Sequence, residues 1–571
     1  MFAIWVVIFK IEFKNYDYFT QILDLFCIVF ISSILKGLNM SFNTIAFGIF
    51  VLSVIVLYYV VPKRFQWILL LIASYFFYAF ASVKFIPFIV MTTLTSYIAA
   101  LMIGKNHKRE KAMLAEGKEI LTKEEKKKLK DTAKKRRRRV LIGLLVVNFG
   151  VLIFLKYYNF FADNINALLK PFLHQTTTVP HLKLLLPLGI SFYTFQTMSY
   201  VIDVYWKKVE AEKNLGKVAL FVSFFPQMFL GPIGRFKELS SQLFEERKMD
   251  PRNIKFGIQL AAWGYFKKMV IADRVGIVVD TVFAGHNNMS GPLVAFGVFL
   301  YAIQDYTDFS GGVDIVRGIA QTMGIRMAEN FKRPYFSRTI AEFWRRWHMS
   351  LGAWMKDYVF YPFALTSAMK KFSKFAKKHG GDTFGKTLPI AMGNVLVFLL
   401  IGIWHGASWN YIIWGVYYGL VVGLGGMMKP IFDGMNKLLH INTSSKIFIL
   451  WQILRSFWLT CVGCIIFRAE GLHEAWVIFK QSLNIFNIPG NYVAEFLKLK
   501  IGINDIMVIP TVLIILFIVD LMQEKVHVRT FLENRNFVIR WAVYLIGFIM
   551  LVGLGMYGPG FDQNQFTYVQ F

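Results

Sequence analysis

The sequence predicts an all-α protein that crosses a membrane many times, and three observations predict it. Hydrophobic residues make up 56% of the 571-residue chain and charged residues only 17%, where a soluble globule runs nearer a quarter charged. Mean hydropathy is +0.48. The remaining charge is gathered into loops between long apolar runs. These features also exclude disorder and collagen-like structure. Three cysteines (Cys27, Cys461 and Cys464) are too few for a disulfide framework or a cysteine-rich metal site.

A spanning helix needs about 20 apolar residues, each adding about 1.5 Å across a core of about 30 Å. Segments that meet or approach this are 45–61, 65–80, 88–103, 140–155, 184–204, 218–230, 258–278, 293–303, 388–403, 411–427, 447–467, 506–521 and 541–554. The expectation is a bundle of about 11–13 helices. Several runs are short or interrupted, as at Phe225-Pro226 and Gly231-Pro232. Broken helices survive at membrane depth only inside protein or along a cavity, so the chain is expected to surround one.

The net charge is +29, from 64 Lys+Arg against 35 Asp+Glu. Between Lys105 and Arg139 stand sixteen basic and six acidic residues, in a loop (104–139) flanked by two apolar runs. Smaller basic clusters lie at 370–386 and 525–540. Basic loops between spans face the cytoplasm and anionic lipid. That distribution points to membrane lipid as partner and away from nucleic acid. Residues 1–39 lack the basic start and cleavage site of a signal peptide. Two readings stay open for them: an extension upstream of a true start at Met40, or an extra interfacial helix. Residues 40–571 form the main domain.

Ionisable residues inside a membrane are costly and mark candidate sites. Asp305, Asp308 and Asp314 end an apolar helix; the bland reading pairs them with Arg317, Arg326 or Lys332. At Phe343-Trp344-Arg345-Arg346-Trp347-His348, helical spacing puts Trp344, Trp347, His348 and Leu351 on one face, as in an aromatic helix lying at the cytoplasmic interface. Arg345, Arg346 and Lys356 can meet either lipid headgroups or an anionic donor. His405 closes an uncharged apolar run, between Gly402 and Gly406, which leave room for a close backbone or ligand approach. A neutral imidazole there can take a proton near pH 7. From Lys386 it lies about 28 Å along a helix, towards the outer side. No residue spacing points to a metal site.

At these residues the chain resembles the membrane-bound O-acyltransferase superfamily, in particular its bacterial polysaccharide O-acetyltransferase branch, the membrane partners of alginate and peptidoglycan O-acetylation. The carriers are Phe225-Pro226-Gln227 with Gly231-Pro232-Ile233, Asp308-Phe309-Ser310-Gly311, Glu329-Asn330-Phe331, residues 342–350, Trp404-His405-Gly406-Ala407-Ser408-Trp409, Phe467-Arg468-Ala469-Glu470 and the aromatic tail 566–571. The resemblance covers about 40–571. It implies helices around a central funnel and a histidine pair at His348 and His405. It further implies transfer of an acetyl group from a cytoplasmic donor, acetyl-CoA, with no permanently bound cofactor, to an extracytoplasmic polysaccharide, completed by an accessory extracytoplasmic acetyltransferase. The setting would be a bacterial plasma membrane. One departure is Val359-Phe360-Tyr361-Pro362-Phe363-Ala364-Leu365, which lacks a Gly-Gly-Asn turn common in alginate-type members. In this reading His405 is the base and His348 orients or polarises the donor carbonyl. Competing readings are D-alanyl transfer to teichoic acid, acylation of a lipid or protein, and a transporter that exports an acyl donor intact; the last is disfavoured because no inverted repeat is visible.

Overall fold

A computed structural model describes residues 42, 44–173, 179–228, 230–486, 490–499 and 501–557. Residues 1–39 and the tail 566–571, named above, lie outside them. Among the described residues the secondary structure is helical, without strands. The chain opens with α1 (Ile45–Val60), α2 (Gln66–Ala81), α3 (Ile86–Glu116) and α4 (Lys123–Leu173). It continues through the shorter α5 (Ile190–Tyr205), α6 (Leu215–Ser223) and α7 (Phe236–Leu243). Then come α8 (Pro251–Tyr265), α9 (Asp273–Gly285) and α10 (Gly291–Thr322), followed by α11 (Ile340–Arg346), α12 (Met349–Met355) and α13 (Tyr361–Ala364). The last third holds α14 (Ser367–His405), α15 (Trp409–Leu438), α16 (Lys446–Arg468), α17 (Leu472–Leu483), α18 (Tyr492–Leu497), α19 (Ile503–Gln523), α20 (Val528–Glu533) and α21 (Phe537–Leu554).

Among the described residues eight helices are long and apolar enough to cross a membrane: α2, α3, α4, α14, α15, α16, α19 and α21. The protein is a multi-pass, all-α membrane protein. The count falls below the eleven to thirteen expected, and the shortfall has local causes. The run 45–61 forms α1, an apolar helix of only 16 residues. The run 184–204 becomes helical only at Ile190, after Pro187 and a left-handed Gly189 (φ 74°). The run 218–230 stops at Ser223, ahead of Pro226. The run 258–278 is divided by a π-helical turn, Phe266–Ala272, which carries Lys267 and Lys268. The run 293–303 belongs to the 32-residue α10, whose second half carries Asp305, Asp308, Asp314 and Arg317. The last four of these segments supply the polar, irregular interior, while the eight long helices supply the apolar surface.

Two helices fix the depth of the site. In α14 the basic arm 367–380 is set off from the apolar remainder by Gly381, whose φ of 80° is a left-handed conformation that favours glycine. Beyond the kink, Lys386 to His405 is 19 residues, about 28 Å. On α4, Arg139 to Lys156 is 17 residues, about 26 Å, and Lys156 touches the backbone of Trp404 and His405. Both rulers put His405 at the end of the bundle far from the basic segments.

Candidate active site

His405 is the last residue of α14 and is buried. Its ring is walled by aromatic neighbours: Trp404 at 4.9 Å, Trp414 at 5.2 Å and Phe467 at 5.1 Å, between ring centroids. One side opens on a cavity of about 40 Å³, whose lining also includes Asp305, Tyr301, Tyr418, Thr460 and Cys464. Gly402 and Gly406 permit this packing. A methyl on Gly402 would collide with the Tyr411 carbonyl oxygen, and one on Gly406 with the Tyr411 ring. The room these glycines leave is therefore taken by α15, not by a ligand. Gly402→Ala is expected to lower the thermal midpoint of the detergent-purified protein by separating α14 from α15. The cost should be about 1–3 kcal/mol, the usual penalty of overpacking a fixed backbone contact.

The second histidine is positioned by a break, not by a helix face. α11 ends at Arg346, Trp347 is extended, and His348 is left-handed (φ 43°, ψ 52°) before α12 begins at Met349. The single helix expected from the spacing of Trp344, Trp347, His348 and Leu351 is thus replaced by two short, partly buried helices. The break is made by the segment ahead of α11. Lys332 N–H donates to the Arg346 carbonyl, and Met349 N–H donates to the Asn330 carbonyl, both at 2.9 Å. A left-handed histidine is strained and persists where its surroundings fix it.

The Asn330 side chain completes that fixing. Its Oδ1 accepts from Ser350 N–H at 3.0 Å and from Ser350 Oγ at 2.8 Å, and it faces His348 Nδ1 at 3.2 Å. A backbone N–H can only donate, so this atom is an acceptor. Nδ1 of His348 must then carry the proton, which leaves the lone pair on Nε2. His348 also lies against Phe309 at 4.9 Å and Trp404 at 6.2 Å. Trp404 is therefore the shared neighbour of the two imidazoles. His348 does not line the 40 Å³ cavity, whereas the adjacent Trp347 does.

The three basic residues weighed as donor contacts sit apart from this cavity. Arg346 pairs with Glu342 at 2.8 Å and Glu524 at 2.9 Å, beside a separate groove of about 420 Å³ that also holds Arg338. Arg345 and Lys356 are exposed; Lys356 lies 5.6 Å from the Tyr361 ring. The three acids of α10 divide. Asp314 pairs with Arg317 at 3.1 Å, as the bland reading expects, and also with Lys267 at 2.7 Å. Asp308 pairs instead with Lys268 at 2.6 Å, and Lys268 also meets Asp273 at 2.8 Å. Asp305 turns to the cavity.

Residues 213–379 match the family model of MBOAT, the membrane-bound O-acyltransferase family; the match includes His348 and ends before His405. The chain is 34% identical over 424 residues to the probable alginate O-acetylase AlgI of Pseudomonas aeruginosa, covering 74% of this chain and 71% of that protein. This chain belongs to the membrane-bound O-acyltransferase family. It is also 29% identical over 523 residues to the peptidoglycan O-acetyltransferase of Helicobacter pylori, covering 85% of this chain and 87% of the relative. The teichoic acid D-alanyltransferase of Bacillus subtilis matches at 29% over 316 residues, 53% of this chain and 74% of the relative. The resemblance read from the motifs is thus the family, and the enzyme class is O-acyltransferase.

In this O-acyltransferase two residues that serve the histidines escaped the sequence reading. Asn330 stood inside a quoted motif, but nothing local shows that it reaches His348, 18 residues on. Lys156 ends the run 140–155 and carried a usable signal, a cation closing an apolar span. Its partners, the carbonyls of Trp404 and His405, lie some 250 residues away along the chain.

Proposed function

We propose that this enzyme transfers an acetyl group from a cytoplasmic donor, acetyl-CoA, to hydroxyls of an extracytoplasmic polysaccharide in a bacterial plasma membrane, through a funnel between its helices. An accessory extracytoplasmic acetyltransferase would complete delivery. The carrying observation is the small cavity at His405. An engineered cavity of about 150 Å³ accommodates benzene. On that scale a space of about 40 Å³ holds one or two heavy atoms, so it takes the three of an acetyl group only with a small side-chain movement and leaves no room for a larger acyl group. The names of the alginate and peptidoglycan relatives support the same reading.

In the proposed step the acceptor hydroxyl oxygen attacks the thioester carbonyl carbon. His405 takes the hydroxyl proton as the C–O bond forms. The C–S bond then breaks, and the leaving thiolate receives that proton. A placed histidine base is worth about 10²–10⁴-fold. The surrounding rings keep competing water from the activated ester. His348 lies outside the cavity lining, beside Trp404; with Nε2 as acceptor it would meet a donor N–H beyond the acetyl group, and it does not polarise the carbonyl as an N–H donor would. Arg345, Arg346 and Lys356 keep, as a weaker proposal, contact with the anionic part of the donor.

Asp305 supports a second reading, D-alanyl transfer, because its carboxylate on the cavity wall would meet an alanyl ammonium. The small volume favours acetyl. Mass spectrometry of esters on purified wall and secreted glycans, from cells with and without this chain, separates the two. Loss of acetyl ester on deletion is expected; loss of alanyl ester with acetyl unchanged would overturn the assignment.

A further inference from the structure

We infer that Lys156 is a positioning residue for His405, an inference that rests on the function proposed above. The end of an α-helix leaves its last carbonyls without helical partners. At the end of α14 this happens inside the bundle, and the chain does not turn back to supply donors, because Gly406 continues in extended conformation (φ −176°). The donors come from α4. Lys156 Nζ donates to the carbonyls of Trp404 at 2.6 Å and His405 at 3.0 Å, and the neighbouring Tyr157 hydroxyl donates to the carbonyl of Ile403. Two consecutive residues of one helix thus hold three consecutive carbonyls of another, and the last of these belongs to the histidine itself.

The choice of lysine is informative. A cation in a spanning helix is costly and would ordinarily reach for the interface. Lys156 is only partly buried, yet its ammonium is spent on backbone oxygens at the negative end of the α14 dipole. A neutral donor such as the Tyr157 hydroxyl holds one carbonyl; the ammonium holds two and supplies the opposite charge. The imidazole plane of His405 is set by ring contacts with Trp404, Trp414 and Phe467. Those contacts keep their register only if the last turn of α14 stays at a fixed height. Lys156 fixes that height, and with it the distance from the imidazole to whatever occupies the cavity.

The test compares Lys156→Met, Lys156→Arg and His405→Ala in cells lacking the native copy, reading glycan O-acetyl ester per mole of folded protein in the membrane. Misplacement of a reacting group by about 1 Å costs about 10²-fold. Lys156→Met is therefore expected to lose about that much ester at an unchanged folded amount, and Lys156→Arg, which restores the charge and the donors, to regain most of it. If Lys156→Met lowers the thermal midpoint or the amount but leaves ester per folded molecule as in wild type, the lysine is a stabilising cap only and the inference falls. Should Lys156→Met fail to accumulate, Lys156→Gln, which keeps an N–H donor group without the charge, is read by the same criterion. If His405→Ala removes the ester while Lys156→Met or Lys156→Gln does not, only the inference fails. If His405→Ala keeps the ester, the proposed function fails with it.

Discussion

Replacing His405 with alanine is expected to abolish O-acetylation of the glycan while the protein accumulates in the membrane with normal helix content. Loss of the base alone removes about 10²–10⁴-fold, leaving at most about 1% of the wild-type rate. The fold should survive because the ring borders an existing space, so shortening it enlarges a cavity without opening a new one. The Gly402 contact that joins α14 to α15 is with the Tyr411 backbone and does not involve the imidazole. His405→Gln, which keeps most of the volume and loses the base, should behave in the same way. Ester retained at wild-type level in both variants would refute the catalytic role of this residue.

The largest expected effect on stability is Lys268→Met. Lys268 is 2% exposed and holds two carboxylates, Asp308 at 2.6 Å and Asp273 at 2.8 Å. Asp308 is itself 2% exposed. Breaking a buried pair by removing one partner costs about 3–5 kcal/mol, because the charge left behind has no solvent. Here two acids would lose a cation at once, so the upper part of that range is expected. The readout is the thermal midpoint in detergent and the amount of chain reaching the membrane. Lys268→Met combined with Asp308→Met should recover part of the loss, since an apolar pair of similar size leaves fewer charges stranded. A single variant as stable as wild type would show that the network is dispensable.

How much of this was legible in the sequence depended on the range of the interaction. Periodicity and hydropathy are local, and they located α2, α3, α4 and the last spans well. They also flagged His405, because a titratable residue closing an apolar run is visible without any partner. They failed at Trp347-His348, where the 3–4 spacing of aromatic residues fits an uninterrupted helix. The competing influence was non-local: the backbone of Asn330 and Lys332 claims the hydrogen bonds that would have continued α11. The same holds for Lys267 and Lys268. In sequence they only interrupt an apolar run, and their meaning comes from α10, some 40 residues on. Arg317 as a partner of Asp314 was readable because it lies three residues away on one helix.

One consequence follows from α21. Among the described residues none of its side chains is fully buried, and only Met550, Leu551 and Leu554 pack against the core. It is clasped at a few polar points, among them Gln259 to the Tyr544 hydroxyl at 2.7 Å and Arg274 to the Leu554 carbonyl at 2.6 Å. Its eighteen residues reach about 27 Å, slightly less than a typical hydrocarbon core. Acyl chains, and not side chains, therefore provide most of its solvation. Being short for that core, it is met by local thinning of the bilayer around it, not by tilting.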